Sequence, residues 1–332
     1  MPDVAGRVAD AFEARVREQE ESALSPLAVR SYETQGRAHA EEEECRLRTP
    51  FQRDRDRIVH CKAFRRLKHK TQVFIDPQGD HYRTRLTHTL ETAGISRTVA
   101  RALRLNEDLA EAIALGHDLG HAPFGHTGEA ALDEALAARF GRHFRHNEQS
   151  LRVVETLERD GRGLNLTAAT RDGILRHTST EERPETLEGR IVRLVDRVAY
   201  INHDIDDAIR AGVLRPDELP PEEIALLGER GSRRIDTLVH DIVEASAGSG
   251  EIVQSAEIGR AMLDLRAFMF ERVYLGPAAE EQRALAVETV RRIFDRLVEH
   301  PDELPPDRPG DLAERVTDYV AGMTDRFALA WR

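Results

Sequence analysis

Apolar positions along this chain recur at steps of three and four, and almost nowhere at steps of two. That periodicity predicts helices over 7–21, 86–105, 107–118, 128–140, 146–160, 187–210, 233–246, 255–275, 279–299 and 309–329. No alternating run makes a convincing strand, so the expected fold class is all-α. Breaks at Pro216–Pro221, Gly248–Gly250 and Pro301–Pro309 read as loops between packed helices, not as boundaries of independent domains. The expected organisation is a single unit over 1–332, with the chemistry in 80–210 and a helical appendage over 211–332. The acidic run Glu41–Glu44 reads as a solvated helix face.

One segment stands apart from this helical background. His117-Asp118-Leu119-Gly120-His121-Ala122-Pro123-Phe124-Gly125-His126-Thr127-Gly128-Glu129 crowds three imidazoles and two carboxylates onto one helix end and loop. The His-Asp dipeptide alone proves little, because it occurs three times, at 117–118, 203–204 and 240–241, in a chain with fourteen histidines. His240-Asp241 has no such company and reads as solvated surface. Around the first pair, Gly120, Pro123 and Gly125 break the helix and let the loop aim His121 and His126 back toward it.

A divalent ion held by imidazole and carboxylate takes about four protein ligands, so the pair needs others from elsewhere. Upstream, His88 shares a helix face with Thr92, Ile95, Val99 and Leu103 and so points inward. Downstream, Asp196, Tyr200 and Asp204 form a stripe at i, i+4 and i+8, beside an apolar face of Ile191, Leu194, Val195 and Val198. Taken singly, His88 reads as a hydrogen-bonded core histidine and Asp196 as half of an ion pair. Together they favour a cation, because a carboxylate on a largely apolar helix is costly to bury without one.

Charge narrows the ligand. Residues 48–85 hold eleven Lys or Arg against four Asp and no Glu, a local +7 in a chain of net charge −12. Such a surface repels nucleic acid over most of its area yet attracts a small polyanion at one place. Arg85, about one helical turn before His88, is placed to contact a phosphate beside the metal. The runs Arg53–Arg57 and Arg65–Lys70 serve equally well as interface or allosteric-site charges.

These residues carry a resemblance. A histidine, then His-Asp, then a distant aspartate is the pattern of the HD-domain metal-dependent phosphohydrolases. The runs Thr49–Ile58, Phe64–Phe74, His117–Glu129 and Asp318–Asp325, in that order, resemble those of the deoxyguanosinetriphosphate triphosphohydrolase-like proteins. The resemblance implies an HD-domain helical core with additional N- and C-terminal helices. It also implies one divalent metal per chain (Mg, Mn, Fe, Co or Ni) on His88, His117, Asp118 and Asp196. The implied reaction splits a deoxynucleoside triphosphate into deoxynucleoside and inorganic triphosphate.

Attack at the α-phosphorus is opposed by phosphate charge and by a poor leaving group, the sugar 5′-alkoxide. A cation must polarise the phosphoryl oxygen and activate water, and an acid must protonate the alkoxide. His126 is the expected acid, just before a helix read as starting with Thr127 as its cap, and Glu129 would orient it. His121 and His146 resemble the family's further active-site histidines. Gln72 resembles the glutamine that reads the deoxyribose, while Arg197, Tyr200 and Asp204 match a phosphate-binding base, a sugar-stacking tyrosine and a hydroxyl-binding aspartate. A flat ring against the sugar leaves no room for a 2′-hydroxyl. In Arg266–Phe270, where some relatives carry an aromatic hydroxyl near the base, Phe268 has none, so guanine is not assumed.

Rival readings stay open. Hydrolysis of a guanosine polyphosphate or a nucleoside monophosphate would keep the same metal ligands, and a two-metal centre would use His121, His126 and His146. A non-catalytic nucleotide sensor or single-stranded nucleic-acid binder is disfavoured by intact His126 and Glu129 and by the overall acidity. The family also implies deoxynucleoside triphosphates as allosteric activators, and homo-oligomers with hexamers among them.

With 33% charged and 40% hydrophobic residues, the 332-residue composition is ordinary for a globular chain. No stretch approaches the ~20 apolar residues of a membrane span, and Met1–Arg7 lacks the apolar core of a signal peptide. Two cysteines, Cys45 and Cys61, suggest no disulfide framework, so the cytoplasm is the expected location.

Overall fold

The computed structural model describes residues 4–33, 36–40, 45, 47–72, 83–178, 182–276, 280–306 and 309–331. Its regular elements are helical, in keeping with the all-α expectation, and the one β pairing among the described residues is an isolated antiparallel bridge between Thr71 and Thr84. Glu41–Glu44 lies outside the described residues. In chain order the helices are α1 (Val4–Ala23), α2 (Pro50–Val59), α3 (Lys62–Arg66), α4 (Arg85–Ala102), α5 (Glu107–Gly116), α6 (Gly125–Phe140), α7 (His146–Arg152) and α8 (Glu158–Gly161). They continue with α9 (Ala168–Arg176), α10 (Leu187–Arg210), α11 (Pro221–Leu227), α12 (Gly231–Ser246), α13 (Ala256–Met269), α14 (Glu280–Glu299), α15 (Leu312–Ala321) and α16 (Asp325–Ala330).

Three predicted helices are interrupted. A π turn at Val153–Leu157 divides the 146–160 segment, another at Phe270–Tyr274 closes the 255–275 segment, and 309–329 breaks where Thr324 starts to cap α16. Periodicity missed the short helices α2, α3, α9 and α11, which local chemistry supports. Thr49 and Gln52 form a capping box around Pro50 at the start of α2, and the Thr167 side chain caps α9.

The core is built where α4, α5 and α10 meet, through Val99, Ala100, Ala110, Ile191, Val195 and Val198, and it extends to α12 and α13 through Leu238, Ile242, Met262 and Leu265. Leu132 and Leu136 of α6 pack with Val290, Ile293 and Phe294 of α14 and Val316 and Val320 of α15. Phe51 and Ile58 of α2 pack with Leu109 and Ile113 of α5 and Ile174 of α9. Each fully buried side chain of this size contributes about 1.5–3 kcal/mol. Leu119 belongs to the α2–α5–α9 cluster, and Ala122 and Phe124 to the α6–α14–α15 cluster, so the His-Asp loop is pinned between the two. No described helix is long and apolar enough to cross a membrane.

Candidate metal and catalytic site

His88, on the inner face of α4, lies with its Nε2 3.0 Å from Oδ1 of Asp196 on α10. His117 caps the C-terminus of α5, and its Nδ1 donates to the Ala114 carbonyl at 2.6 Å, which turns Nε2 toward the carboxylates. That Nε2 is buried with no hydrogen-bond partner, yet Asp118 Oδ1 and Asp196 Oδ1 face it at 3.5 and 3.6 Å. Burial favours a neutral ring, but the Asp118 and Asp196 carboxylates outweigh it and hold His117 up at about 9. Both carboxylates stay well below the usual range despite their burial, Asp118 through His117 and Arg85, and Asp196 through His117 and His88. Two imidazole nitrogens and two carboxylates around one orphaned buried atom fit a divalent cation, which would take the place of the shared proton.

The second half of the loop forms a histidine cluster. Phe124 (φ 65) and Gly125 (φ 59) both adopt left-handed backbone, so α6 starts at Gly125 with Phe124 in the cap position. This corrects the expectation for Thr127, which lies inside the first turn. Glu129 Oε2 lies 3.2 Å from His126 Nδ1, while Oε1 lies 2.7 Å from His146 Nδ1 and accepts the His146 backbone N–H at 2.9 Å. One carboxylate therefore orients two imidazoles. Despite burial it stays far below the usual carboxylate range, because His146 and His126 surround it. His121 stacks on His146 with ring centroids 4.4 Å apart. Its own pKa is pushed far down, first by burial and then by Arg85, which makes it a neutral ring.

Sequence reasoning missed His177. It follows α9, itself missed, and its Nε2 lies 3.2 Å from His146 Nε2 while its Nδ1 is spent on the Ile174 carbonyl. Burial and the neighbouring His117 lower it to about 3. Thr167 as a cap before Ile174 was the available signal. Groups with metal-ligand spacing include His88–His117–Asp196, His117–Asp118–His177, Asp118–His121–His146 and His121–His126–Glu129.

A pocket of about 450 Å³ opens over these groups, lined by Gln72, Arg85, Arg197, Tyr200 and Asp204 together with His88, Asp118, His121, His126, His146 and Asp196. The residues picked from the sequence thus converge on one cavity, except His117 and Glu129, which do not line it but contact residues that do. Arg85 is 2% exposed, and its Nη1 donates to Asp118 Oδ2 at 2.6 Å while Nε and Nη2 have no partner. Gln72 Oε1 and Asp204 Oδ1 are likewise buried without partners.

The far wall includes Arg266 and Phe270, from the stretch that the sequence sets near the base, and adds Tyr274, which the sequence did not single out. Arg266 Nε donates to the Tyr200 hydroxyl at 2.5 Å, and the Tyr274 hydroxyl donates to Asp204 Oδ2. Phe268 packs instead against the α10–α12–α13 core. Tyr274, on the π turn, brings an aromatic hydroxyl to the pocket wall. His203 is buried behind the site with its ring centroid 6.2 Å from that of His88. His240 is exposed as expected, but Asp241 is half-buried and accepts the Ser255 N–H before α13.

An all-helical core that gathers a histidine, a His-Asp pair and a distant aspartate defines an HD-domain phosphohydrolase. Residues 85–201 match the HD domain, and residues 252–332 match the phosphohydrolase-associated domain. The chain is 57% identical over 317 residues to the deoxyguanosinetriphosphate triphosphohydrolase-like protein of Caldanaerobacter subterraneus subsp. tengcongensis, covering 94% of this chain and 92% of that one. It is 47% identical to the protein of that name from Desulfatibacillum aliphaticivorans, covering 92% of each. It belongs to the deoxyguanosinetriphosphate triphosphohydrolase-like family of HD-domain proteins. A crystal structure of a phosphohydrolase from Bacteroides thetaiotaomicron shares the fold at TM-score 0.52 and 18% identity, covering 78% of this chain and 64% of that one.

Proposed function

We propose that this protein hydrolyses deoxynucleoside triphosphates to deoxynucleoside and inorganic triphosphate, with one divalent ion per chain held by His88, His117, Asp118 and Asp196. The observation that carries this reading is Arg85, a buried guanidinium with two unpartnered nitrogens beside the Asp118 carboxylate. Leaving such donors unmade is expensive. A phosphoryl group at the metal edge of the pocket would satisfy them.

When bound, the ion supplies Lewis-acid polarisation of the phosphoryl oxygen and a more acidic water. The protein supplies the rest. Arg85 and Arg197 hold phosphate oxygens, Tyr200 lies along the sugar, and Gln72 and Asp204 present their open oxygens to the sugar hydroxyls. His126, kept in place by Glu129, protonates the departing 5′-oxygen. His146 leans on the same carboxylate but is tied to His177 as well, so His126, with its side chain 70% exposed at the pocket mouth, is the better placed acid. The deoxyguanosinetriphosphate triphosphohydrolase-like names of the relatives support a triphosphate substrate, and the His126–Glu129 contact supports an enzyme over a sensor.

The test incubates metal-verified protein with each of the four deoxynucleoside triphosphates, singly and mixed, and separates the products. Deoxynucleoside with intact triphosphate is expected. Pyrophosphate or orthophosphate as the product would mean that a phosphoanhydride bond is cleaved instead of the 5′-ester.

A further inference from the structure

The run Asp318–Asp325 stood out in the sequence but supplies nothing to the pocket lining. It reaches the site from behind. Asp325 opens α16 and is 3% exposed, with no solvent to satisfy its carboxylate. Oδ2 accepts the Thr71 N–H at 2.9 Å and the Thr71 hydroxyl at 2.6 Å, and Oδ1 accepts the Phe124 N–H at 3.0 Å. Lys70, 2% exposed, donates to the His121 carbonyl and, at 2.7 Å, to the Ala321 carbonyl. Two buried charged side chains therefore tie together three segments distant in sequence, around residues 70–72, 121–125 and 321–325.

Two of the tied segments carry pocket residues. Thr71 precedes Gln72, and the bonded carbonyl belongs to His121. Phe124 and Gly125 set the direction in which α6 departs, with His126 next in line and Glu129 one turn further on. A non-glycine residue in left-handed backbone costs about 1–2 kcal/mol, and such strain persists where the surroundings over-determine it. At Phe124 the surroundings are a ring 3% exposed and an N–H held by Asp325. The Gln72 carbonyl lies 3.1 Å from where a Cβ on Gly125 would sit, so the 70–72 segment is seated directly on the start of α6.

We propose that Asp325, acting with Lys70, is a positioning residue that sets the start of α6 and thereby the aim of His126 and Glu129. The inference rests on the function proposed above. It makes the C-terminal region a builder of the catalytic loop, not only a cover for the core.

The test compares Asp325→Ala, Asp325→Asn and Lys70→Met with the parent enzyme for metal content, kcat, KM and backbone hydrogen exchange. Asp325→Ala should retain its metal and lose about 100-fold in kcat, the scale of a 1 Å misplacement, with a smaller change in KM. Exchange should accelerate across 121–128 while α4 and α10 keep their protection. Asp325→Asn keeps one acceptor oxygen and should fall between the two, which preserves the test if the alanine variant does not fold. A folded Asp325→Asn with kcat within about twofold of the parent and unchanged exchange would overturn the proposal. So would acceleration spread equally over α4 and α10, which marks global loosening. If the parent enzyme releases no triphosphate, the functional reading fails, and exchange in 121–128 still decides the positioning role.

Discussion

His88 Nε2 and Asp196 Oδ1 lie 3.0 Å apart although 108 residues separate them in sequence. Each is presented on a helix whose apolar face is committed to the same core, α4 through Val99 and Ala100 and α10 through Val195 and Val198. The ligand geometry is thus secured by packing, and the chemistry is borrowed from it.

Removing a ligand and removing the acid should separate cleanly. Asp118→Ala should lose both metal and activity, and it leaves Arg85 buried without its partner, at a cost of about 3–5 kcal/mol in stability. His126→Ala should keep its metal while turnover drops by about two to four orders of magnitude. Elemental analysis beside initial rates checks both. Equal metal loss in the two variants would refute the separation, and two ions per parent chain would remove His126 from the role of acid.

Tyr200 should gate the sugar. Its ring is steadied by the Arg266 bond to its hydroxyl, so Tyr200→Ala should raise ribonucleotide turnover relative to deoxyribonucleotide turnover, by about 10-fold for a loss of one good steric contact. Competition assays with paired substrates give the ratio. An unchanged ratio would take Tyr200 out of sugar discrimination.

Asp204 should leave a mark on stability. Burial lifts its carboxyl to about 8, against the lowering influence of the Tyr274 hydroxyl. An unfolded aspartate titrates near about 3.9. Between those values the folded chain keeps a proton that the unfolded chain has lost. The contribution is therefore fully present below about pH 4 and is lost as pH rises through about 8. Asp204→Asn removes it. From about pH 5 to about pH 8 the parent's Tm should fall relative to the variant's by at least ~2 °C, roughly 1 kcal/mol for a chain of this size. A constant difference would mean that Asp204 is ionised throughout.

Two glycines, Gly128 on α6 and Gly94 on α4, should respond with opposite signs. A Cβ on Gly128 would sit 1.8 Å from the Pro123 carbonyl oxygen, whereas one on Gly94 meets nothing within 4 Å. Gly128→Ala should destabilise by about 1–3 kcal/mol or more, and Gly94→Ala should stabilise α4 by about 0.5–1 kcal/mol. Denaturant midpoints measure both. A neutral Gly128→Ala would show that the loop yields at the Pro123 carbonyl.

The sequence made the long elements legible because their apolar faces repeat for four turns or more, as in α10, whose predicted span 187–210 matches Leu187–Arg210. His88 and Asp196, each ordinary alone, were readable as a pair because a carboxylate on a largely apolar helix is costly to bury without a cation. Arg266 was legible only as part of the Arg266–Phe270 stretch, and His177 and Tyr274 were not readable. Each of these two enters the site from an element whose local signal is weak, a nine-residue helix for the first and a π turn closing a helix for the second. The Thr127 cap failed because the helix starts three residues earlier, after a left-handed non-glycine residue, Phe124, whose N–H is met by Asp325 two hundred residues away.

The most direct test runs the reaction of metal-loaded protein with a deoxynucleoside triphosphate in ¹⁸O-labelled water. Attack of water at the α-phosphorus with loss of the 5′-oxygen must place the label in inorganic triphosphate, in equal amount to unlabelled deoxynucleoside. Label in orthophosphate, pyrophosphate or a nucleotide would contradict the reading of this site as a triphosphohydrolase.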